Sequence, residues 1–185
     1  IKIKKMKQEH KIFGRTKGRS KNKIDLIYYN KLIDRYRLKK LDTNKSYILD
    51  IGSGYGETSI YLSLENPLTY IISCDKYING NLNLLKKIEK QNIKNIHVHH
   101  GSVQEILDKH EVKKYFDSIW IFFPDPWPKK RHNKRRIISL KFLKLIYNYI
   151  KQEGKIYIAT DSLQYSRDIL KVIYESKHMY KWLNQ

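Results

Sequence analysis

One cysteine, Cys74, stands in a chain of 185 residues. That excludes a disulfide framework and a cysteine-based zinc site, and it fits a reducing cytoplasm. No apolar run approaches the roughly 20 residues of a membrane-spanning helix, and no secretory leader is expected at this start. The chain begins at Ile1, as expected of a fragment or a trimmed chain. Acids are scarce: 18 Asp and Glu face 38 Lys and Arg, for a formal net charge of +20. That excess favours a polyanionic partner, with a membrane surface as the rival. Lys, Ile, Asn and Tyr are all abundant, so part of the charge is compositional. Proline is rarer still, and three of the four fall within 124–128. Three of the eight glycines fall within 52–56. At this length one domain with a real core is expected.

Those glycines end an apolar run, Tyr47-Ile48-Leu49-Asp50-Ile51, which reads as a buried strand. Gly52, Gly54 and Gly56 read as a turn that needs positive φ and lets a ligand approach bare backbone. From Glu57 to Leu64 the chain can open a helix whose N-terminal N–H groups face that ligand. The spacing is G-x-G-x-G, not the G-x-G-x-x-G of dinucleotide sites. Asp50 precedes the first glycine by two residues, which suits a ligand with a cationic amino-acid end and no pyrophosphate, as in S-adenosylmethionine. Asp75 closes the next strand, Thr69–Asp75, about 20 residues further on, where an acid can accept bonds from both ribose hydroxyls. That acid alone separates neither NAD from S-adenosylmethionine.

The rest of the chain alternates. Residues 1–23 form a basic arm expected to be mobile, within which Phe13-Gly14-Arg15-Thr16-Lys17-Gly18-Arg19 can order on a phosphate backbone. Residues 24–185 form the domain. Ile24, Ile27 and Tyr28 mark a helix over roughly 24–38, with Tyr36 and Leu38 extending its apolar side. Ile78, Leu82, Leu85 and Ile88 mark a helix to about Gln91. Ile96–His99 is a short strand, and Val103, Ile106, Leu107 and His110 mark a short helix. Asp117–Phe123 is a central strand. Ile138, Phe142, Leu145, Ile146 and Tyr149 share a helix face. Gly154 turns the chain into a strand from Lys155 to Thr160, and a last helix spans about Ser162–Ser176. Such alternation predicts an α/β fold, a doubly wound, mostly parallel Rossmann-like sheet with helices on both faces. Ligands then bind past the carboxyl ends of the strands. Asp50, Asp75, Asp125 and Asp161 all fall there and are expected around one cleft.

The central strand runs into Pro124-Asp125-Pro126-Trp127-Pro128, then Lys129-Lys130-Arg131-His132-Asn133-Lys134-Arg135-Arg136. The prolines end the ladder and hold Asp125 rigidly. Trp127 offers a flat face to an extruded base, and the cations can hold flanking phosphates. His132 has no second ligand at metal spacing, so no metal is expected.

These residues carry a resemblance. Ile-Leu-Asp-Ile-Gly-Ser-Gly-Tyr-Gly, the segment from Phe122 to Arg136, Ala159-Thr160-Asp161 and the Phe13–Arg19 arm resemble the bacterial tRNA (guanine-N7)-methyltransferase family. The match spans nearly the whole chain. It implies a class I methyltransferase fold and transfer of methyl from S-adenosylmethionine to N7 of a guanine in the tRNA variable region. It implies that Asp50, Gly52, Gly54 and Asp75 hold the cofactor and that Asp125 sits at the catalytic centre beside cofactor and guanine. Lys129 and Asp161 would contact the substrate, with Arg131, His132, Asn133, Lys134, Arg135 and Arg136 as an RNA-contacting stretch. Ser102 stands where the family has an acid near the adenine. The family's C-terminal Thr-containing motif and two further strands are absent from these 185 residues. A cytoplasmic monomer or homodimer acting on tRNA, with no metal and no membrane, is expected. The alternatives are a methyltransferase acting on another nucleic-acid base, although Pro-Asp-Pro-Trp differs from the Asn/Asp-Pro-Pro-aromatic turns of adenine-N6 enzymes, and a cofactor-free RNA-binding or scaffold protein. An NAD oxidoreductase fits the glycine spacing poorly.

Overall fold

The computed structural model describes residues 23–183. The basic arm, with its Phe13–Arg19 segment, lies outside the described residues apart from Lys23. Five parallel strands form one sheet: β1 (Tyr47–Ile51), β2 (Tyr70–Asp75), β3 (Ile96–His100), β4 (Phe116–Phe122) and β5 (Ile150–Ala159). Their order is β3-β2-β1-β4-β5, so the winding reverses between β1 and β4. A ligand crevice belongs at that reversal.

All five residues of β1 are buried, because helices cover both faces of a parallel sheet. On one face α4 (Val103–Lys109), α5 (Leu140–Tyr147) and α6 (Leu163–Glu175) supply Ile106, Phe142 and Ile169 against Leu49, Ile119 and Ile121. On the other face α1 (Lys23–Tyr36), α2 (Glu57–Glu65) and α3 (Ile78–Gln91) supply Leu32, Leu62 and Leu85 against Ile48, Ile71 and Val98. Each such side chain contributes about 1.5–3 kcal/mol when fully buried.

Four local expectations are corrected. In α1 the buried face is Tyr29, Leu32 and Tyr36, while Ile27 and Tyr28 are exposed. The helix packs on α3 and the β3 edge, and its buried stripe is set by that docking. Ile138 and Tyr149 lie outside α5, yet both are core residues. Ile138 N–H donates to the Tyr165 hydroxyl at 3.0 Å, and the Tyr149 hydroxyl donates to the Leu107 carbonyl at 3.0 Å. β4 ends at Phe122: Phe123 N–H still donates to the Ala159 carbonyl at 2.9 Å, but its φ of 48° turns the chain out of the strand. Finally, β5 starts at Ile150, and Gly154 lies inside it. Phe116 pairs with Ile150 but Ser118 pairs with Lys155, so β5 makes an excursion between them. A Cβ on Gly154 would meet Ile150 Cγ1 at 2.5 Å, which is why that excursion closes only with glycine.

Candidate active site

The glycine turn is left-handed at all three positions, with φ 77° at Gly52, 56° at Gly54 and 82° at Gly56. Their reasons differ. A Cβ on Gly56 would come within 2.6 Å of Leu84 on α3, so this glycine serves packing. A Cβ on Gly52 or Gly54 would meet nothing within 4 Å. These two therefore present bare backbone to an open cleft at the β1–β4 reversal, of about 300 Å³.

Asp75, the last residue of β2, faces that cleft. Its Oδ2 accepts the Gly54 N–H at 2.8 Å and its Oδ1 accepts the Tyr77 N–H at 2.7 Å. The carboxylate is pinned between the turn and the start of α3, and each oxygen keeps a lone pair for a further donor. Ser102 caps α4, and its hydroxyl donates to Glu105 at 3.0 Å. Toward the cleft it is an acceptor. Burial opposes ionisation of Glu105, but hydrogen bonds from Ser102 hold its carboxyl below the usual range.

The opposite wall is the proline segment. Phe123 at φ 48° and Trp127 at φ 44° bracket Pro124-Asp125-Pro126. Left-handed backbone at a non-glycine residue costs about 1–3 kcal/mol each, so the surroundings must hold it. Arg136 does so. It is 6% exposed, and its Nε donates to the Pro126 carbonyl at 2.7 Å. One terminal nitrogen reaches the Trp127 carbonyl at 3.5 Å, the other pairs with Asp168 of α6, and the guanidinium stacks 4.9 Å from the Tyr165 ring. The Asn133 amide, with its nitrogen turned inward, donates to the carbonyls of Trp127 (3.2 Å) and Lys129 (3.3 Å). Asp125 is thereby carried on a braced arch at the cleft mouth.

The cleft brings together Gly52, Gly54, Asp75, Ser102, Asp125, Trp127 and Arg135. Other expected site residues stand elsewhere. Asp50 is 2% exposed and lies beneath the turn, accepting the Ser59 hydroxyl at 2.6 Å. Burial pushes its carboxyl up to about 7, with Ser59 opposing and the Asp75 charge adding. Its carboxyl is therefore tied to α2 and does not line the cleft. Arg136, expected to contact RNA, is instead an internal brace, because three acceptors and an aromatic face occupy its guanidinium. Lys129, Lys130, Arg131 and Lys134 are exposed beside the arch, whereas Asp161 is exposed off the lining. The Trp127 ring is flanked by the Arg135 guanidinium at 4.9 Å and the edge of His132 at 5.8 Å. Desolvation and the nearby cations, Arg135 first, hold His132 below its ordinary value. So four aspartates do not ring one pocket: Asp75 and Asp125 share it.

Two tyrosines join the site without having been expected there. Tyr55, inside the turn, and Tyr77, two residues past Asp75, line the cleft with their hydroxyls 3.2 Å apart. Their positions next to the two motifs are the available signal.

The family model described as "Putative methyltransferase" matches residues 44–185. A tRNA (guanine-N(7)-)-methyltransferase of Neorickettsia sennetsu is 31% identical over 164 residues, covering 88% of this chain and 74% of that one. Its namesake in Leptospira interrogans is 35% identical over 133 residues, covering 72% of this chain and 61% of that one. The chain belongs to the tRNA (guanine-N(7)-)-methyltransferase family. The matched region of this family member contains the whole cleft, from Ile51 to Ile137. The chain spans about two thirds of the length of these relatives, between 61% and 74%. Among solved structures, a precorrin-6y C5,15-methyltransferase of Geobacter metallireducens superposes with a TM-score of 0.56 at 15% identity, covering 80% of this chain and 68% of that one. That likeness is one of fold. Among the described residues no helix is long and apolar enough to cross a membrane. No group of three or more His, Cys, Asp or Glu among them is arranged to hold a metal ion.

Proposed function

We propose that this chain transfers a methyl group from S-adenosylmethionine to N7 of a guanine in the tRNA variable region, forming 7-methylguanosine. The observation that carries this reading is the shared cleft: a rigidly mounted Asp125 faces the pinned Asp75 and the bare backbone of Gly52 and Gly54.

The residues present fit the cofactor. Asp75 keeps lone pairs for two ribose hydroxyls, and the Ser102 oxygen can accept from the adenine amine. Gly52 and Gly54 leave room for the amino-acid end, since no side chain projects there. The bound cofactor supplies a methyl group already activated by its sulfonium. Guanine N7 bears a lone pair and no proton, so no general base is required of the protein. Its task is positioning and charge compensation. Asp125 accepts hydrogen bonds from the guanine N1–H and exocyclic amine and offsets the positive charge that arrives on the purine. Trp127, stiffened by Arg135, offers a stacking surface for the extruded base. Lys129, Lys130, Arg131 and Lys134 hold phosphates on either side, and Asp161 contacts the substrate from the end of β5. The enzyme acts in the cytoplasm as a monomer or homodimer, with no metal.

Incubation with labelled S-adenosylmethionine and unmodified tRNA, followed by digestion to nucleosides, tests this. Label in 7-methylguanosine is expected. Label in another nucleoside would reassign the base, and failure to bind S-adenosylhomocysteine would leave only an RNA-binding domain.

A further inference from the structure

A second cavity, of about 510 Å³, opens at the carboxyl end of β3. After α1 the chain forms a parallel bridge, Arg37 to Val98, along the outer edge of β3. The 37–39 segment then forms one wall, α4 the other, and the end of β3 lies between them. Its apolar lining is Ile33, Leu38, Val98 and Ile106, of which Ile33 and Leu38 are half-buried and Val98 and Ile106 fully buried. Around it stand the exposed cations Arg37, Lys39 and Lys109.

Charge decides the class of occupant. One carboxylate, Glu105, faces the three cations, and it already accepts from the Ser102 N–H and hydroxyl, each at 3.0 Å. Arg37 is 3.6 Å from Asp34, but both are exposed and such a pair is weak. Three imidazoles, His99, His100 and His110, line the wall, and His100 Nε2 lies 3.2 Å from the Lys76 carbonyl. His99 Nε2 has no hydrogen-bond partner and lies 3.5 Å from Glu105. Half-buried Ile33 and Leu38 beside a cationic rim match a base with an attached phosphate. The volume is within the roughly 300–1,000 Å³ of small-ligand sites.

We propose that this cavity binds one phosphorylated nucleotide, with the base against Ile33 and Leu38 and the phosphate on Arg37, Lys39 and Lys109. The site is separate from the methyl-transfer cleft, although the two share a wall. Gly101, Ser102 and Val103 face the cleft, whereas His99, His100 and Glu105 face this cavity. The nucleotide is either a unit of the substrate RNA or free in solution.

The test follows the imidazole resonances of His99, His100 and His110 by NMR, with the protein saturated in S-adenosylhomocysteine. The probes are guanosine 5′-monophosphate, guanosine and unmodified tRNA. The monophosphate is expected to shift these signals, and guanosine to do so at least about tenfold more weakly. The variant Lys39→Glu/Lys109→Glu changes only exposed side chains and is expected to lose the response while keeping its unfolding midpoint. Lys39→Gln/Lys109→Gln is expected to fall between. If the occupant is an RNA unit, the charge-reversed variant also binds tRNA several-fold more weakly, with a salt slope shallower by about 1–2. If it is a free nucleotide, tRNA affinity stays unchanged. Signals that ignore both the monophosphate and tRNA, or that respond equally in the charge-reversed variant, would overturn the proposal. Loss of methyl transfer alone would not affect it.

Discussion

The Nε of Arg136 donates to the carbonyl of Pro126 at 2.7 Å, from a side chain buried against Tyr165 and paired with Asp168. The arch carrying Asp125 is thus fastened to α6, two left-handed residues notwithstanding. Lysine has one terminal ammonium and cannot serve Pro126, Trp127 and Asp168 together. Arg136→Lys is expected to lower kcat about 10²-fold by displacing the arch, with S-adenosylhomocysteine affinity held within a few-fold. Asp168→Asn, which keeps one acceptor, should be milder. Equal losses of kcat and cofactor affinity in a folded Arg136→Lys protein would show that the brace serves the fold as a whole.

Asp50 gives a pH signature. Its carboxyl is raised from 3.8 to about 7 in the folded chain. Below pH 3.8 it is protonated folded or unfolded. Between there and about 7 the unfolded chain releases this proton while the folded chain keeps it. Stability from this group is therefore lost as pH rises across that window, then levels off. Urea midpoints of the wild type should fall relative to those of Asp50→Asn from about pH 4 to about pH 7. A constant difference would mean that burial does not hold the proton.

Asp75 fixes Gly54 and Tyr77, and in the proposed function its remaining lone pairs take the ribose. Asp75→Asn replaces one oxygen with a donor facing an N–H. Charged hydrogen bonds contribute about 1.5–3 kcal/mol, so cofactor affinity measured by calorimetry should drop about 10- to 100-fold. An unchanged Kd would place the ribose elsewhere.

The phosphate contacts are expected on the exposed cations, not on Arg136. Reversing Lys129, Lys130 and Lys134 to Glu should weaken tRNA binding and flatten the plot of log affinity against log salt, by about 1 for each phosphate no longer neutralised. A slope equal to that of the wild type would make these lysines a solvated rim.

The sheet and the cleft's acids are legible in the sequence because their signals are local. Buried runs such as Tyr47–Ile51 and Tyr70–Asp75 read directly as strands, and their ends place Asp75 beside the glycine turn. Arg136 is not legible, because one more arginine in a basic run carries no mark of direction. Its partners, Tyr165 and Asp168, lie about thirty residues away on α6. Asp50 reads as a cofactor contact because its position in the strand gives the face but not what covers it. Ser59 of α2 takes that face. The Gly154 excursion and the buried stripe of α1 depend on tertiary pairing, with Phe116 and Ile150 in one case and the β3 edge in the other.

Asp125 offers the sharpest measurement. Purified Asp125→Ala and wild type should be compared for S-adenosylhomocysteine binding by calorimetry and for labelled-methyl transfer to unmodified tRNA, counted as 7-methylguanosine. Cofactor binding within a few-fold of wild type, with turnover reduced at least about 10²-fold, is the expected result. Turnover near wild type in the Asp125→Ala protein would contradict it.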